Sequence, residues 1–274
     1  MVIPWRDRLR STRPPAAGPV PLACYLLVAV NCVVFLAGPS GIAPHYGSTQ
    51  VARNCAAQRY QQRWGAIPAE LLSGRPLTAA QAAGAAPALP GCPPVGTPRK
   101  NPLLSVFTSL FVHGGWLHLL GNMLFLLVFG TGVEERLGRP RFLLFYLAVG
   151  ALAGYGYALA DSTDPQALQP LVGASGAIAG VLGGYLRLYP RARVTALVPL
   201  LFFLPLRLPA WLVLGLWFAV QWWSVHQAGP GVAYLAHVIG FSAGFLALWA
   251  ASRRARYPGP TDLQPLAPDP GAFE

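Results

Sequence analysis

Charged side chains are the scarcest class in this 274-residue sequence. Asp, Glu, Lys and Arg make up 11% of it, whereas a typical soluble domain has about 25%. Acidic residues are rarest, with nine in the whole chain, while hydrophobic residues make up 54%. Apolar runs of about 18 to 25 residues recur, and each is long enough to cross a bilayer core of about 30 Å. The composition therefore excludes an ordinary soluble domain and predicts a helical membrane protein with several spans.

A basic patch is also missing, although the formal net charge is +11. The 20 Lys and Arg residues lie between the apolar runs, where basic residues set the orientation of a membrane protein. Phosphate binding would instead require them to cluster on one surface. We therefore expect no nucleic-acid partner.

The apolar runs predict an all-α membrane protein with six transmembrane helices. The spans are expected at residues 20–38, 104–132, 141–160, 171–190, 209–227 and 231–252. Residues 39–103 are rich in Ala, Gly, Pro and Gln, and are predicted to form a long outer first loop. Residues 194–208 are apolar but short and proline-containing, which predicts a re-entrant or interfacial hairpin.

Three parts of the chain follow from this reading. Residues 1–19 are predicted to be a cytoplasmic N-terminal segment, and residues 20–252 the six-span membrane domain. Residues 253–274 form a cytoplasmic tail that is rich in Pro, Asp and Gly, and we expect it to be disordered.

The basic residues also predict the orientation of the spans. With the N-terminus inside, 14 of the 20 Lys and Arg residues lie in inner segments, and the other six lie in the long first loop. Inner loops normally carry this excess. Both termini are therefore expected in the cytoplasm, and the second, fourth and sixth spans run from outside to inside.

This orientation brings polar residues of three spans to one depth. His118 and Asn122 lie near the start of the second span, Ser175 near the start of the fourth and His237 near the start of the sixth. At 1.5 Å per residue, Ser175 and His237 lie roughly 6–9 Å below the outer surface. Ionisable residues inside a membrane are costly and usually functional.

Ser175 has two interpretations. It can be a small residue in a helix-packing face, because Gly176 and Gly180 continue the same pattern. It can also be a nucleophile, since it opens a helix whose free N–H groups point toward a developing oxyanion. Gly173 and Gly176 permit tight turning and close approach at either side.

His237 can likewise be a packing histidine with a backbone partner, or a catalytic base. Gly240 and Gly244 share its helix face, so that face can approach another glycine-lined helix closely. If it meets the face of Ser175, the two side chains come within the hydrogen-bond reach that base activation of a hydroxyl requires. The nine acidic residues lie in loops, tails or at span ends, so the sequence predicts a Ser–His dyad without a third acid. Ala177 stands where a Gly-x-Ser-x-Gly hydrolase turn requires glycine, which excludes an α/β-hydrolase.

His118 and Asn122 are four residues apart and share a helix face. They can donate hydrogen bonds to an oxyanion, or they can join helices together. No His-Glu-x-x-His motif is present, and His113 is expected to point away from His118, so we expect neither a metal nor another cofactor.

The four cysteines divide by side of the membrane. Cys24 and Cys32 lie in the first span as small apolar residues. Cys55 and Cys92 lie in the outer loop, where oxidation can occur, so they either form a disulfide or remain free.

Several of these features together resemble the signature of the rhomboid intramembrane serine proteases. The matching stretches are His118-x-x-x-Asn122, Gly173-Ala174-Ser175-Gly176, Ala236-His237-x-x-Gly240-x-x-x-Gly244, Gly130-Thr-Gly-Val-Glu134-Glu135-Arg136-Leu-Gly138 and Arg63-Trp64-Gly65-Ala-Ile-Pro68. The resemblance is strong over about residues 100–250, and several spaced motifs in the right order are more specific than any one of them.

The resemblance implies a six-helix bundle that hydrolyses a peptide bond of single-pass transmembrane substrates in the lipid bilayer. It implies Ser175 as the nucleophile and His237 as the general base. His118, Asn122 and the Ser175 N–H group would form the oxyanion hole, with Gly173 shaping its wall. The alternative is a catalytically inactive rhomboid-like protein that binds transmembrane helices.

The chain departs from the family pattern at one position near the site. Some members stack an aromatic residue on the histidine from four residues after the serine, but this chain has Ala179 there. His237 is therefore expected to be held either less firmly or by another group. Six spans and the Arg-, Ala- and Pro-rich composition point to a bacterial inner or plasma membrane.

Overall fold

The structure is a computed structural model, and it describes residues 20–85, 89–93, 96, 100–160, 165–198, 204–227 and 232–254. Most of this part of the chain is helical. The helices are α1 (Leu22–Ala37), α2 (Gln50–Trp64), α3 (Pro68–Ser73), α4 (Ala79–Ala85), α5 (Pro102–Thr108), α6 (Trp116–Leu137), α7 (Arg139–Ala160), α8 (Ser175–Leu188), α9 (Ala210–Gln227) and α10 (Tyr234–Arg254). Short 3₁₀ turns lie at Pro44–Tyr46, Ser109–Phe111 and Pro165–Leu168. The predicted segment 1–19 and all but the first two residues of the predicted tail 253–274 lie outside the described residues.

Three of the described helices are long and apolar enough to cross a membrane. They are Trp116–Leu137, Arg139–Ala160 and the Tyr234–Ser252 part of α10. Leu22–Ala37 and Pro102–Phe111 are shorter apolar helices. The chain is therefore a predominantly helical membrane protein, as predicted, while the count of six spans stays a prediction.

The predicted boundaries of the second span, 104–132, are wrong. α5 and its 3₁₀ turn end at Phe111, and α6 begins only at Trp116 and continues to Leu137 through a π turn at Leu126–Gly130. The break contains Gly114 and Gly115, which have the lowest helix propensity of any residue except proline. Hydropathy averaged over a window does not detect such a break, because both flanking helices are apolar.

A two-stranded antiparallel sheet corrects the all-α prediction. β1 (Arg193–Val198) pairs with β2 (Leu204–Pro209), in register from Arg193 opposite Pro209 to Val198 opposite Leu204. The predicted hairpin at 194–208 is therefore built from strands, and its residues 199–203 lie outside the described part. β-branched residues in β1 favour this pleated conformation.

The centre of the fold is the contact between α8 and α10. The glycine-lined faces of the two helices lie against each other, as their spacing predicts. A Cβ atom at Gly240 would collide with the backbone carbonyl oxygen of Gly176, and one at Gly244 would collide with that of Gly180. The two backbones are in direct contact, so the relative position of the two helices is closely defined.

Glu134, near the C-terminal end of α6, joins that helix to α1. Its buried carboxylate accepts hydrogen bonds from the backbone N–H groups of Ala23 (3.0 Å) and Cys24 (2.6 Å). The first N–H groups of a helix have no partner within the helix, and a negative charge there also interacts favourably with the helix dipole. This carboxylate therefore caps α1. It lies about three helical turns along α6 from Asn122.

A buried ion pair connects α3 to the residues just before α5. The Lys100 ammonium lies 2.5 Å from the Glu70 carboxylate and donates to the carbonyl groups of Gln62 (2.9 Å) and Gly65 (3.0 Å). Burial lowers the pKa of Lys100 from its usual 10.5, and the hydrogen bond and charge of Glu70 oppose that shift. Leaving either charge unpaired would be costly, so the pair fixes α2 and α3 beside α5.

The structure also joins Cys55 to Cys92 in a disulfide, with their Cα atoms 5.4 Å apart. Cys24 and Cys32 are free thiols, and Cys24 is buried in α1. The disulfide links α2 to a segment 37 residues further along the chain.

Candidate active site

A turn held by backbone hydrogen bonds presents Ser175. Leu171 and Ala66 exchange two backbone hydrogen bonds of 2.7 and 3.0 Å, so α8 begins at Ser175 and not at the predicted residue 171. Gly173 follows with a φ of +116°, which favours glycine over any residue with a side chain. Its N–H donates to the Ser109 carbonyl oxygen at 2.9 Å. The serine therefore sits at the first position of the helix, directly after a fixed turn.

The Ser175 hydroxyl lies against His237, which is in the first turn of α10. Its Oγ is 2.8 Å from His237 Nε2, a full hydrogen-bond distance. The close approach of Gly176 to Gly240 explains this distance, because each glycine lies one or three residues after the polar side chain on its own helix. The two side chains have the geometry in which an imidazole can accept the proton of a hydroxyl.

Gln221, on α9, completes this group of side chains. Its Oε1 lies 2.8 Å from His237 Nδ1, and the side chain is buried. Sequence reasoning missed this residue. The available signal was a mid-helix amide flanked by the apolar and aromatic residues of α9, which is the pattern of a polar group with a buried partner.

Aromatic contacts to His237 also come from outside α8. The Trp217 ring on α9 lies 6.1 Å from the imidazole, centroid to centroid, at an angle of 32°. Tyr234 meets the imidazole edge-on at 6.3 Å. Position 179 is alanine in this chain, and the groups that contact His237 from α9 are Trp217 and Gln221.

The α6 side of the site contains His118 and Asn122. A Cβ atom at Gly173 would lie 2.5 Å from His118 Nε2, so any side chain there would collide with the imidazole. The same position is 3.7 Å from Asn122 Nδ2. Both side chains therefore lie beside the turn that precedes Ser175. The turn can approach His118 this closely because Gly173 has no side chain.

His113 belongs to the same group, contrary to the expectation that it points away from His118. The two imidazole rings are 5.0 Å apart, and His113 Nε2 lies 2.9 Å from Asn122 Nδ2. Helical spacing does not apply to this pair, because α6 begins only at Trp116. A hydrogen bond to Nε2 requires His113 to accept from the Asn122 amide, which orients that amide.

These side chains share one cavity of about 1150 Å³. Ser175, His237, Gln221, His118 and Asn122 all line it. The remaining wall is largely apolar and comes from α5 to α10 and from the turn before Ser175, with Gln61 of α2 at one side. An apolar cavity with a few convergent polar groups is the usual form of a ligand or substrate site.

The geometry agrees with comparisons to known proteins. RHOMBOID-like protein 1 of Arabidopsis thaliana is 30% identical over 155 residues, covering 54% of this chain and 34% of that protein. Rhomboid protein 1, mitochondrial, of Saccharomyces cerevisiae is 33% identical over 157 residues, covering 55% and 42% respectively. Rhomboid protease GluP of Bacillus subtilis is 43% identical over 81 residues, covering 30% and 15%. The matched part of the chain spans less than half the length of each of these relatives.

The protein-family model for the Rhomboid domain matches residues 100–254. That range is more than half of the chain and contains α5 to α10, including Ser175, His237, Gln221, His118 and Asn122. The chain belongs to the rhomboid family.

Proposed function

We propose that this chain is an intramembrane serine endopeptidase that hydrolyses a peptide bond of transmembrane protein substrates through a Ser175–His237 dyad. The observation that carries the proposal is the 2.8 Å distance between Ser175 Oγ and His237 Nε2. Membership of the rhomboid family supports the same reaction class. Two of the acidic residues that the structure describes have partners away from His237: Glu70 pairs with Lys100, and Glu134 accepts from the first N–H groups of α1.

The reaction would proceed in two steps. His237 Nε2 takes the proton of the Ser175 hydroxyl while Oγ attacks the substrate carbonyl carbon, and the same proton is then given to the leaving amine as the C–N bond breaks. A water molecule attacks the resulting ester, with His237 taking its proton and returning it to Ser175 Oγ. The products are a new carboxylate terminus and a free amine terminus.

The oxyanion would be stabilised by donors on both sides of the serine. The Ser175 N–H lies in the first turn of α8, where N–H groups have no intrahelical acceptor. His118 and Asn122 can donate from α6, and Gly173 keeps the space beside them free of a side chain. Donors fixed before the reaction stabilise developing charge at no reorganisation cost.

Replacing Asn122 with alanine is expected to lower kcat by about 100- to 1000-fold, because one oxyanion donor is typically worth that much. KM should change little, since the donor acts on charge that develops in the transition state. Asn54→Ala, an exposed asparagine of α2, is the matched control and should leave kcat unchanged. Steady-state cleavage in detergent measures both constants, and a rise in KM at constant kcat would contradict the oxyanion role.

The depth of Ser175 follows from the length of its helix. α8 has 14 residues and is about 21 Å long at 1.5 Å per residue. A bilayer core is about 30 Å thick, so a helix whose inner end reaches the cytoplasmic boundary begins below the outer one. The cavity at Ser175 would therefore open toward the outer side, where water can reach it.

The full arrangement that we propose has six spans, residues 20–252, with residues 39–103 as the outer first loop. The segments 1–19 and 253–274 would both be cytoplasmic, in a bacterial inner or plasma membrane. The substrates would be single-pass transmembrane proteins that enter from the lipid bilayer, and neither a metal nor nucleic acid would take part.

The test is cleavage of a panel of single-span substrates in liposomes by the wild-type protein and by Ser175→Ala. We expect products from the wild type alone, and a fluorophosphonate probe that labels the wild type but not Ser175→Ala. Equal product from both proteins would rule out the dyad. Binding of substrates without cleavage by either protein would identify the inactive, helix-binding alternative.

A further inference from the structure

We propose that Gln221 is a positioning residue of the active site, and that its side-chain carbonyl holds the His237 imidazole in the one tautomer that can activate Ser175. This inference rests on the proposed protease function. In this proposal a neutral amide on α9 occupies the place next to the histidine that an acid would take in a catalytic triad.

Both ring nitrogens of His237 have a partner, and the two partners lie on different helices. Nε2 is 2.8 Å from Ser175 Oγ on α8, and Nδ1 is 2.8 Å from Gln221 Oε1 on α9. Gln221 is 8% exposed, so water does not readily replace its hydrogen bond. The imidazole is therefore fixed at both edges by side chains that come from two neighbouring helices.

The proposed reaction determines which ring nitrogen of His237 carries the proton. A neutral imidazole has one N–H donor and one acceptor nitrogen. Ser175 can give up its proton only to an acceptor at Nε2, so the ring proton must be on Nδ1. A carbonyl oxygen at Nδ1 accepts that proton's hydrogen bond and favours this tautomer. In the opposite tautomer Nε2–H would donate to Ser175 Oγ, so no nitrogen could take the serine proton, and the lone pair of Nδ1 would face the Gln221 oxygen.

The same oxygen also serves the charged state. When His237 holds the serine proton, both nitrogens carry N–H groups, and Gln221 Oε1 still accepts from Nδ1. An apolar residue at position 221 would leave that N–H without a partner in a buried site, which is costly. A buried carboxylate would interact more strongly but is expensive to place in an apolar environment, whereas a neutral amide is less so.

Trp217 supports the same orientation. It precedes Gln221 by four residues, so both side chains leave α9 on one face. Its ring lies 6.1 Å from the imidazole and also contacts Phe241, one turn after His237 on α10. One face of α9 thus provides a hydrogen bond to the edge of the imidazole and an aromatic neighbour for its plane.

The test compares Gln221→Met, which has a similar length but no strong acceptor, with Gln221→Glu, which keeps an oxygen at the same reach. We expect Gln221→Met to lower kcat by about 10- to 100-fold, the equivalent of one hydrogen bond to a charged group. KM should stay within about twofold, and Gln221→Glu should retain kcat within about fivefold. Gln227→Met, at an exposed position of the same helix, is the control and should match the wild type.

Phosphonylation of Ser175 by a small fluorophosphonate gives a second readout, since it needs an activated serine but no transmembrane substrate. Its rate per folded protein should fall in Gln221→Met by the same factor as kcat. Unchanged rates in Gln221→Met, equal losses in the Met and Glu variants, or a change in KM alone would each overturn the positioning role. If the protease proposal itself fails, the wild type is not labelled or Ser175→Ala still cleaves, so the two failures are distinguishable.

Discussion

Replacing His237 with alanine is expected to lower kcat by about five to six orders of magnitude, because the nucleophile and its base act as a unit. Without an acceptor 2.8 Å from its Oγ, Ser175 keeps its proton and is a weak nucleophile. Ser175→Ala should cause a loss of similar size, and the double variant should be no slower than either single variant.

Single-turnover cleavage of a transmembrane substrate, followed by mass spectrometry of the products, measures these rates over the required range. His226→Ala is the matched control, because this exposed histidine near the end of α9 should leave the rate within about twofold of wild type. A double variant that is slower than the single variants by a further large factor would show that the two residues act independently and would refute the dyad.

Replacing Gly244 with alanine is expected to destabilise the protein by more than about 4 kcal/mol, an effect well beyond that of an ordinary substitution. A Cβ atom there would collide with the carbonyl oxygen of Gly180, and this oxygen belongs to backbone that has no rotamer to change. Helix propensity alone predicts the opposite sign, because alanine is favoured over glycine by about 1 kcal/mol. The sign of the change therefore decides between packing and propensity.

Gly215→Ala is the matched control on α9, since a Cβ atom there meets nothing within 4 Å. It should leave the free energy of unfolding unchanged or raise it by up to about 1 kcal/mol. Thermal unfolding in detergent compares the two variants directly. Equal stability of Gly244→Ala and Gly215→Ala would contradict the backbone contact between α8 and α10.

The sequence was sufficient to predict the Ser175–His237 pairing because two independent patterns agree. Glycine spacing on each helix predicts faces that pack closely, and the distribution of arginine predicts that both helices start on the same side. The contact between Gly176 and Gly240 is the structural result of these patterns. The glycine pattern lies within each helix and the arginine pattern lies between helices, so both can be read without knowing how the helices pack.

Other features depend on how the helices and loops pack against one another, and the sequence of a single helix does not specify this packing. Gln221 meets His237 only because α9 packs beside α10 with a particular rotation, and hydropathy does not specify that rotation. His113 can contact Asn122 because it lies in the non-helical segment between Phe111 and Trp116, just before α6 begins. The start of α8 depends on the pairing of Leu171 with Ala66, two residues that are more than a hundred positions apart.

The backbone contact between α8 and α10 also constrains how this chain can evolve. When two side chains touch, a larger one can be compensated by a smaller partner, and the two positions can vary together. At Gly240 and Gly244 the neighbouring atoms are the carbonyl oxygens of Gly176 and Gly180, which every amino acid carries. No substitution on α8 can remove a backbone carbonyl oxygen. We therefore expect that no second substitution on α8 restores the stability of a variant that has a side chain at Gly240 or Gly244.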